Sequence, residues 1–98
     1  MVPFKRVWED AVTMVSKDEI KDVNIVETYN GGFVVAEENE DTEFINKDDF
    51  VYFWSKMICN NEVSKKEVEN GRRLKYVYQI VKKLPYVSEN SDSLKVID

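Results

Sequence analysis

The chain has 98 residues, of which 43% are hydrophobic and 34% charged. That is too apolar for a disordered polypeptide and the right length for one small domain, residues 1–98. No run approaches the roughly 18 apolar residues of a membrane helix, so the chain is not expected to span or enter a membrane. Histidine is absent and Cys59 is the single cysteine, which excludes an internal disulfide, Ser–His and Cys–His nucleophile pairs, and ordinary zinc sites. The start, Met-Val-Pro-Phe-Lys-Arg, is too soon charged for a secretory signal. With the lone thiol, this predicts a cytoplasmic protein.

The net charge of −5 conceals two blocks. Residues 1–50 hold five basic and thirteen acidic side chains, a net of −8, whereas residues 65–83 hold seven basic and two acidic, a net of +5. Such asymmetry points to a charged partner or to internal pairing of the blocks.

Residues 4–15 are expected to form an amphipathic helix. Phe4, Val7, Trp8, Ala11, Met14 and Val15 recur at spacings of three and four, and Pro3 suits its start. Ser16 and Glu19 have the spacing of a capping box, so a further helical turn is expected there. Val23–Tyr29 and Phe33–Glu37 flank Asn30-Gly31-Gly32 and predict a β-hairpin. A two-residue Asn30-Gly31 loop of type I′ needs positive φ at both residues. It sets Val26 opposite Val35 and Thr28 opposite Phe33. A third strand around Thr42–Ile45 completes an antiparallel meander.

Residues 47–59 predict a second helix. Asn46 is a good N-cap, Asp48 and Asp49 suit the positive helix end, and Phe50, Phe53, Trp54, Met57 and Ile58 make the cleanest core stripe in the chain. Cys59, next to that stripe, is expected to be a small buried hydrophobe. Ser64 and Glu67 form another capping box for a short helix ending near Glu69, with Asn70-Gly71 as a left-handed stop. A longer helix over 72–84 ends at Pro85. Strands at Tyr86–Ser88 and Leu94–Ile97 then predict a C-terminal hairpin. The fold class is therefore α+β: an N-terminal helix, a three-stranded antiparallel meander, three helices with the last two arranged as a helix–turn–helix, and a β-hairpin.

On a helical wheel, Leu74, Val77, Tyr78, Val81 and Leu84 gather on one side of helix 72–84. Arg72, Lys75, Tyr76, Gln79, Lys82 and Lys83 gather on the other, with Arg73 beside them. Cations, an aromatic hydroxyl and an amide are the groups that bond phosphates and base edges. In element order and charge, residues 47–98 resemble a winged helix-turn-helix module, in which such a helix face enters the major groove. The resemblance implies nucleic acid as partner and Arg72, Arg73, Lys75, Tyr76, Gln79, Lys82 and Lys83 as its contacts. In this sequence Glu67 stands where such turns commonly carry a small residue, and the wing, Glu89–Ser93, holds two acids and no base.

The alternative working surface is acidic. Glu37, Glu38, Glu40, Asp41 and Glu43 cluster in the meander, with Asp48 and Asp49 just beyond, and could face a basic protein or a second copy of the chain. The same oxygens could hold a hard cation, but no Asp-x-Asp-x-Asp-Gly loop is present, so no metal is expected. Asp10, Glu19 and Lys21 have the residue types of a nuclease centre in a pattern frequent by chance, and no glycine-rich phosphate loop exists. The sequence thus predicts a small non-enzymatic binding module without catalytic residues, cofactor or small-molecule substrate. Its partner is nucleic acid through the basic helix, or protein through the acidic surface.

Overall fold

A computed structural model describes residues 2–39 and 41–97. The order of elements is α1 (Phe4–Ser16), β1 (Ile25–Tyr29), β2 (Gly32–Ala36), β3 (Thr42–Asn46), α2 (Lys47–Asn60), β4 (Val63–Ser64), α3 (Lys65–Val68), α4 (Leu74–Val81), β5 (Val87–Asn90) and β6 (Ser93–Val96). Two antiparallel sheets form, β1-β2-β3 and β4-β6-β5. The mixed α+β class expected from the sequence is what the chain adopts. No helix among the described residues is long and apolar enough to cross a membrane.

Each helix buries the stripe its spacing marks out. Val7, Ala11 and Met14 of α1, Phe50, Phe53, Trp54 and Met57 of α2, and Val77, Tyr78, Ile80 and Val81 of α4 enter one continuous core. Aromatic rings join its parts. Trp8, Phe33 and Phe50 form a triangle with centroids 5.3–6.0 Å apart, which fastens α1 and β2 to α2. Phe53 meets Tyr78 edge-on at 6.2 Å, and Trp54 meets Tyr86 in the same way at 6.2 Å. These tilted and edge-on contacts suit the ring quadrupole. Tyr86 also donates a hydrogen bond to Asp10 of α1 at 2.9 Å, while the Arg6 guanidinium lies over its ring at 5.4 Å.

Local capping accounts for the helix boundaries. Asn46 accepts from the Asp49 N–H and the Asp49 carboxylate accepts from the Asn46 N–H, a complete capping box, and Asn61 closes α2 in the left-handed conformation. Ser64 and Glu67 do the same for α3. The Ser64 backbone N–H, bonded to the Glu67 carboxylate, is the main cause holding that carboxyl below its ordinary value.

Several expectations are corrected. Ser16 and Glu19 do not start another turn of helix. Asp18 takes φ 57°, and the Asp18 and Glu19 N–H groups close α1 on the Val15 and Met14 carbonyls. This satisfies the last turn and reverses the chain. Gly71 and Asn70 are not left-handed, since a bond from Gly71 N–H to the Val68 carbonyl ends α3 without it. α4 is also shorter than 72–84. Arg72 and Arg73 precede it, and i→i+3 bonds at Lys83 and Leu84 tighten the chain after Val81. Cys59 is exposed, not buried, because it falls outside the α2 stripe.

The first hairpin differs as well. Thr28 opposes Phe33 as expected, but Ile25, not Val26, opposes Val35, because a bulge intervenes between Ile25 and Glu27. The extra residue turns Val26 outward, where it is exposed, and leaves the half-buried Ile25 opposite the fully buried Val35. Neither Asn30 nor Gly31 has positive φ. The two-residue left-handed loop occurs instead at Ser91-Asp92, with φ 51° and 67°.

The glycine that matters at the first turn is Gly32, for space. A Cβ there would collide with the Ile45 carbonyl and with Asn46 Cα of β3. Both are backbone atoms that cannot swing aside. Gly32→Ala is therefore expected to cost about 1–3 kcal/mol in a urea unfolding experiment. Gly31→Ala, which meets nothing within 4 Å, is expected to stay within about 0.5 kcal/mol. Equal effects would remove the close approach of β3 as the reason for the second glycine.

Candidate interaction surface

The structure brings the basic and acidic blocks together. Arg72 lies 3.3 Å from Glu43, Arg73 3.2 Å from Asp49, and Lys75 3.9 Å from Glu37. Lys82 and Lys83 both reach Asp22, at 3.1 and 4.0 Å. Each of the five cations on and beside α4 thus has a carboxylate next to it. Three come from the meander and the start of α2, and one from the segment before β1.

The local reasons are visible element by element. Val77 and Val81 turn inward to α2, which sends Lys75, Tyr76 and Gln79 to the opposite side of α4. The third strand runs directly into α2, so Glu43 and Asp49 flank one corner and face the Arg72-Arg73 turn. Asp49 serves both the capping box and the ion pair with Arg73. Lys82 keeps only 19% of its side chain exposed, with its ammonium on Asp22. That bonded ammonium is the main cause that holds the Asp22 carboxyl below its ordinary value. Burial, and next the Glu37 carboxylate beside its hydroxyl, push Tyr76 up to about 12.

The acidic candidates divide. Glu37 and Glu43 are engaged with Lys75 and Arg72. Glu38 and Asp41 are exposed, and Asp41 accepts a hydrogen bond from the Asn39 amide at 2.9 Å. Glu40 lies outside the described residues. Among the basic-face candidates, Gln79 is half-buried and Tyr76 sits beneath the Lys75 ammonium, 5.1 Å from its ring. Asp22 is the participant that the sequence reading missed. It lies in an irregular segment where no periodicity assigns a direction.

Beside this seam runs an open groove of about 1230 Å³. Residues 25–28 of β1 line one flank, and Lys75, Tyr76 and Gln79 of α4 the other. Val15, Ile25 and Val26 supply apolar surface, with the buried Ile20, Val23 and Val68 beneath. Nothing in the sequence marks this groove, because its flanks are brought together only by the docking of α4 beside the meander.

Comparison with family models, with curated proteins and with solved structures gave no match for this chain.

Proposed function

We propose that this chain is a small non-enzymatic protein-interaction module whose acidic meander is the working surface and whose α4 is structural. One observation carries the reading: every cation of the α4 face is paired with a carboxylate of the same chain. Binding to duplex DNA gains most of its sequence-independent affinity from releasing counterions of phosphates neutralised by lysine and arginine. Cations already beside carboxylates have little of that term left to give, and the nearby acids repel phosphate. The remaining acidic excess, by contrast, favours a basic protein partner.

The order α2-β4-α3-α4-β5-β6 supports the resemblance to a winged helix-turn-helix module. The resemblance then concerns architecture more than DNA contact, since the turn between β5 and β6 is Ser91-Asp92, with Glu89 on the strand before it. Glu89 also accepts the Tyr78 hydroxyl hydrogen bond at 2.7 Å, so this wing is tied to the α4 core.

The test is a mobility-shift assay with random-sequence duplex DNA at low and moderate salt. No retardation is expected at either. Retardation at low salt that fades as salt rises, and that is lost in Lys75→Glu and Lys82→Glu, would return the function to the basic face.

A further inference from the structure

We propose that the groove between β1 and α4 binds an extended, basic peptide segment of a partner protein, which adds as a strand to the free edge of β1. The proposal rests on the reading of the chain as a protein-interaction module and names the site and the chemistry of the partner. β1 is an outer strand of its sheet. Among the described residues, the backbone groups of residues 25–29 have no backbone partner beyond β2. An edge of this kind can take a strand from another chain, with main-chain hydrogen bonds giving affinity and alternate side chains giving selectivity. The edge does not face open solvent only: Ile25, Val26, Glu27 and Thr28 line the groove.

Size and charge choose the occupant. At about 1230 Å³ the groove exceeds the roughly 300–1,000 Å³ of small-molecule sites, and it is partly open to solvent. Six carboxylates line it against three lysines. Lys75 and Lys21 are already held by Glu37 and Asp18, and Asp22 by Lys82, which leaves Lys65 as the one lining lysine without a carboxylate in ion-pair distance among the described residues. Glu27, Glu38 and Glu69 have no cation within ion-pair distance among the described residues. A strand presents alternate side chains to opposite sides. A segment alternating lysine or arginine with apolar residues would thus set cations toward Glu27, Glu38 and Glu69, and apolar groups toward Val15, Ile25 and Val26.

The experiment follows backbone amide resonances of the isotope-labelled chain while the hexapeptide Lys-Val-Lys-Val-Lys-Val is added. The expected result is a set of shifts confined to residues 20–28, Val68–Glu69 and Lys75–Gln79. Affinity should fall by about tenfold in the Glu27→Lys, Glu38→Lys variant. A similar fall is expected for a peptide N-methylated at every residue, which cannot donate to the β1 edge whichever side it presents. Glu69→Lys is a second variant should the first fail to fold. Equal binding of the N-methylated peptide would overturn strand addition, and shifts scattered over all acidic surfaces would overturn the groove. Dimerisation of the chain that perturbs the same amides without peptide would give the edge to a second copy, and overturn the peptide assignment. A negative peptide result with no duplex retardation removes the groove alone, whereas duplex binding mapped to Arg72–Lys83 removes the interaction-module reading itself.

Discussion

Replacement of Phe53 by alanine should lower the stability of this chain by about 3–5 kcal/mol. Phe53 has 0% of its surface exposed and holds the edge-on contact with Tyr78. It stands where α2 meets α4, among buried neighbours carried on separate elements, so the vacated volume cannot be filled by one local movement. The total stability of a small domain is on the order of 5–15 kcal/mol, and a loss of this size removes a large part of it. Urea unfolding followed by the fluorescence of Trp8 and Trp54 measures the change. Phe44→Ala is the comparison, because Phe44 is 57% exposed on the outer side of β3 and has its ring centroid 5.9 Å from that of Tyr29. Its loss should stay within about 1 kcal/mol. A Phe53→Ala cost no larger than that of Phe44→Ala would mean that α2 and α4 do not share a core.

The contrast between those two phenylalanines shows which parts of the fold the sequence carries. Phe53 belongs to a stripe of spacing three and four that Asn46 and Asp49 cap locally, and all of that lies within one stretch of chain. The bulge at Val26 does not. It is chosen by the need to keep Ile25 opposite Val35 while Ala36 N–H bonds the Asn24 carbonyl, a requirement set by the rest of the sheet. Asn30-Gly31 is a strong signal for a left-handed loop, yet the positive φ values went to Ser91-Asp92, which have no glycine. Short polar residues tolerate that conformation, and the glycine at 32 answers to the closeness of Ile45 instead. β4, only two residues long, is defined by its partner Leu94 and not by any pattern of its own.

The site was legible in composition and illegible in arrangement. The two charge blocks can be counted from the sequence, and Arg72, Lys75 and Lys82 fall on one side of α4 by periodicity. Whether such a face meets phosphate or carboxylate depends on which element docks beside it. Glu43 and Asp49 are brought to the Arg72-Arg73 turn by the direct passage of β3 into α2, and Asp22 by the irregular chain that leads into β1. Each of these pairs has at least one partner well exposed to solvent, so it contributes little to stability, of order 0–1 kcal/mol. On the reading proposed above their weight lies in function, because four carboxylates set beside five cations reduce the positive field of that face.

Alkaline pH should unfold the chain cooperatively, with release of tyrosine protons, between about pH 10 and 12. Tyr78 donates to Glu89 at 2.7 Å and Tyr86 to Asp10 at 2.9 Å. Burial is the main cause that raises both hydroxyls well above their ordinary value, and the carboxylate that accepts each proton raises them further. Tyr76 is pushed up to about 12, again by burial first and by Glu37 next. In the unfolded chain these groups ionise near pH 10. The folded state therefore holds protons that the unfolded state releases. Its advantage is complete below about pH 10 and declines as pH rises through the folded values, at about 1.4 kcal/mol for each unit and each group. Ultraviolet absorbance of tyrosinate and far-ultraviolet circular dichroism, recorded on one sample, should change together. The double variant Tyr78→Phe, Tyr86→Phe, compared with the parent, should lose less of its stability between pH 9 and 11, although it starts lower by about 1 kcal/mol for each hydrogen bond removed. Full tyrosinate absorbance at pH 11 with an unchanged dichroism spectrum would show that the three hydroxyls ionise freely in the folded chain. The ties from Tyr78 to β5 and from Tyr86 to α1 would then hold nothing in place.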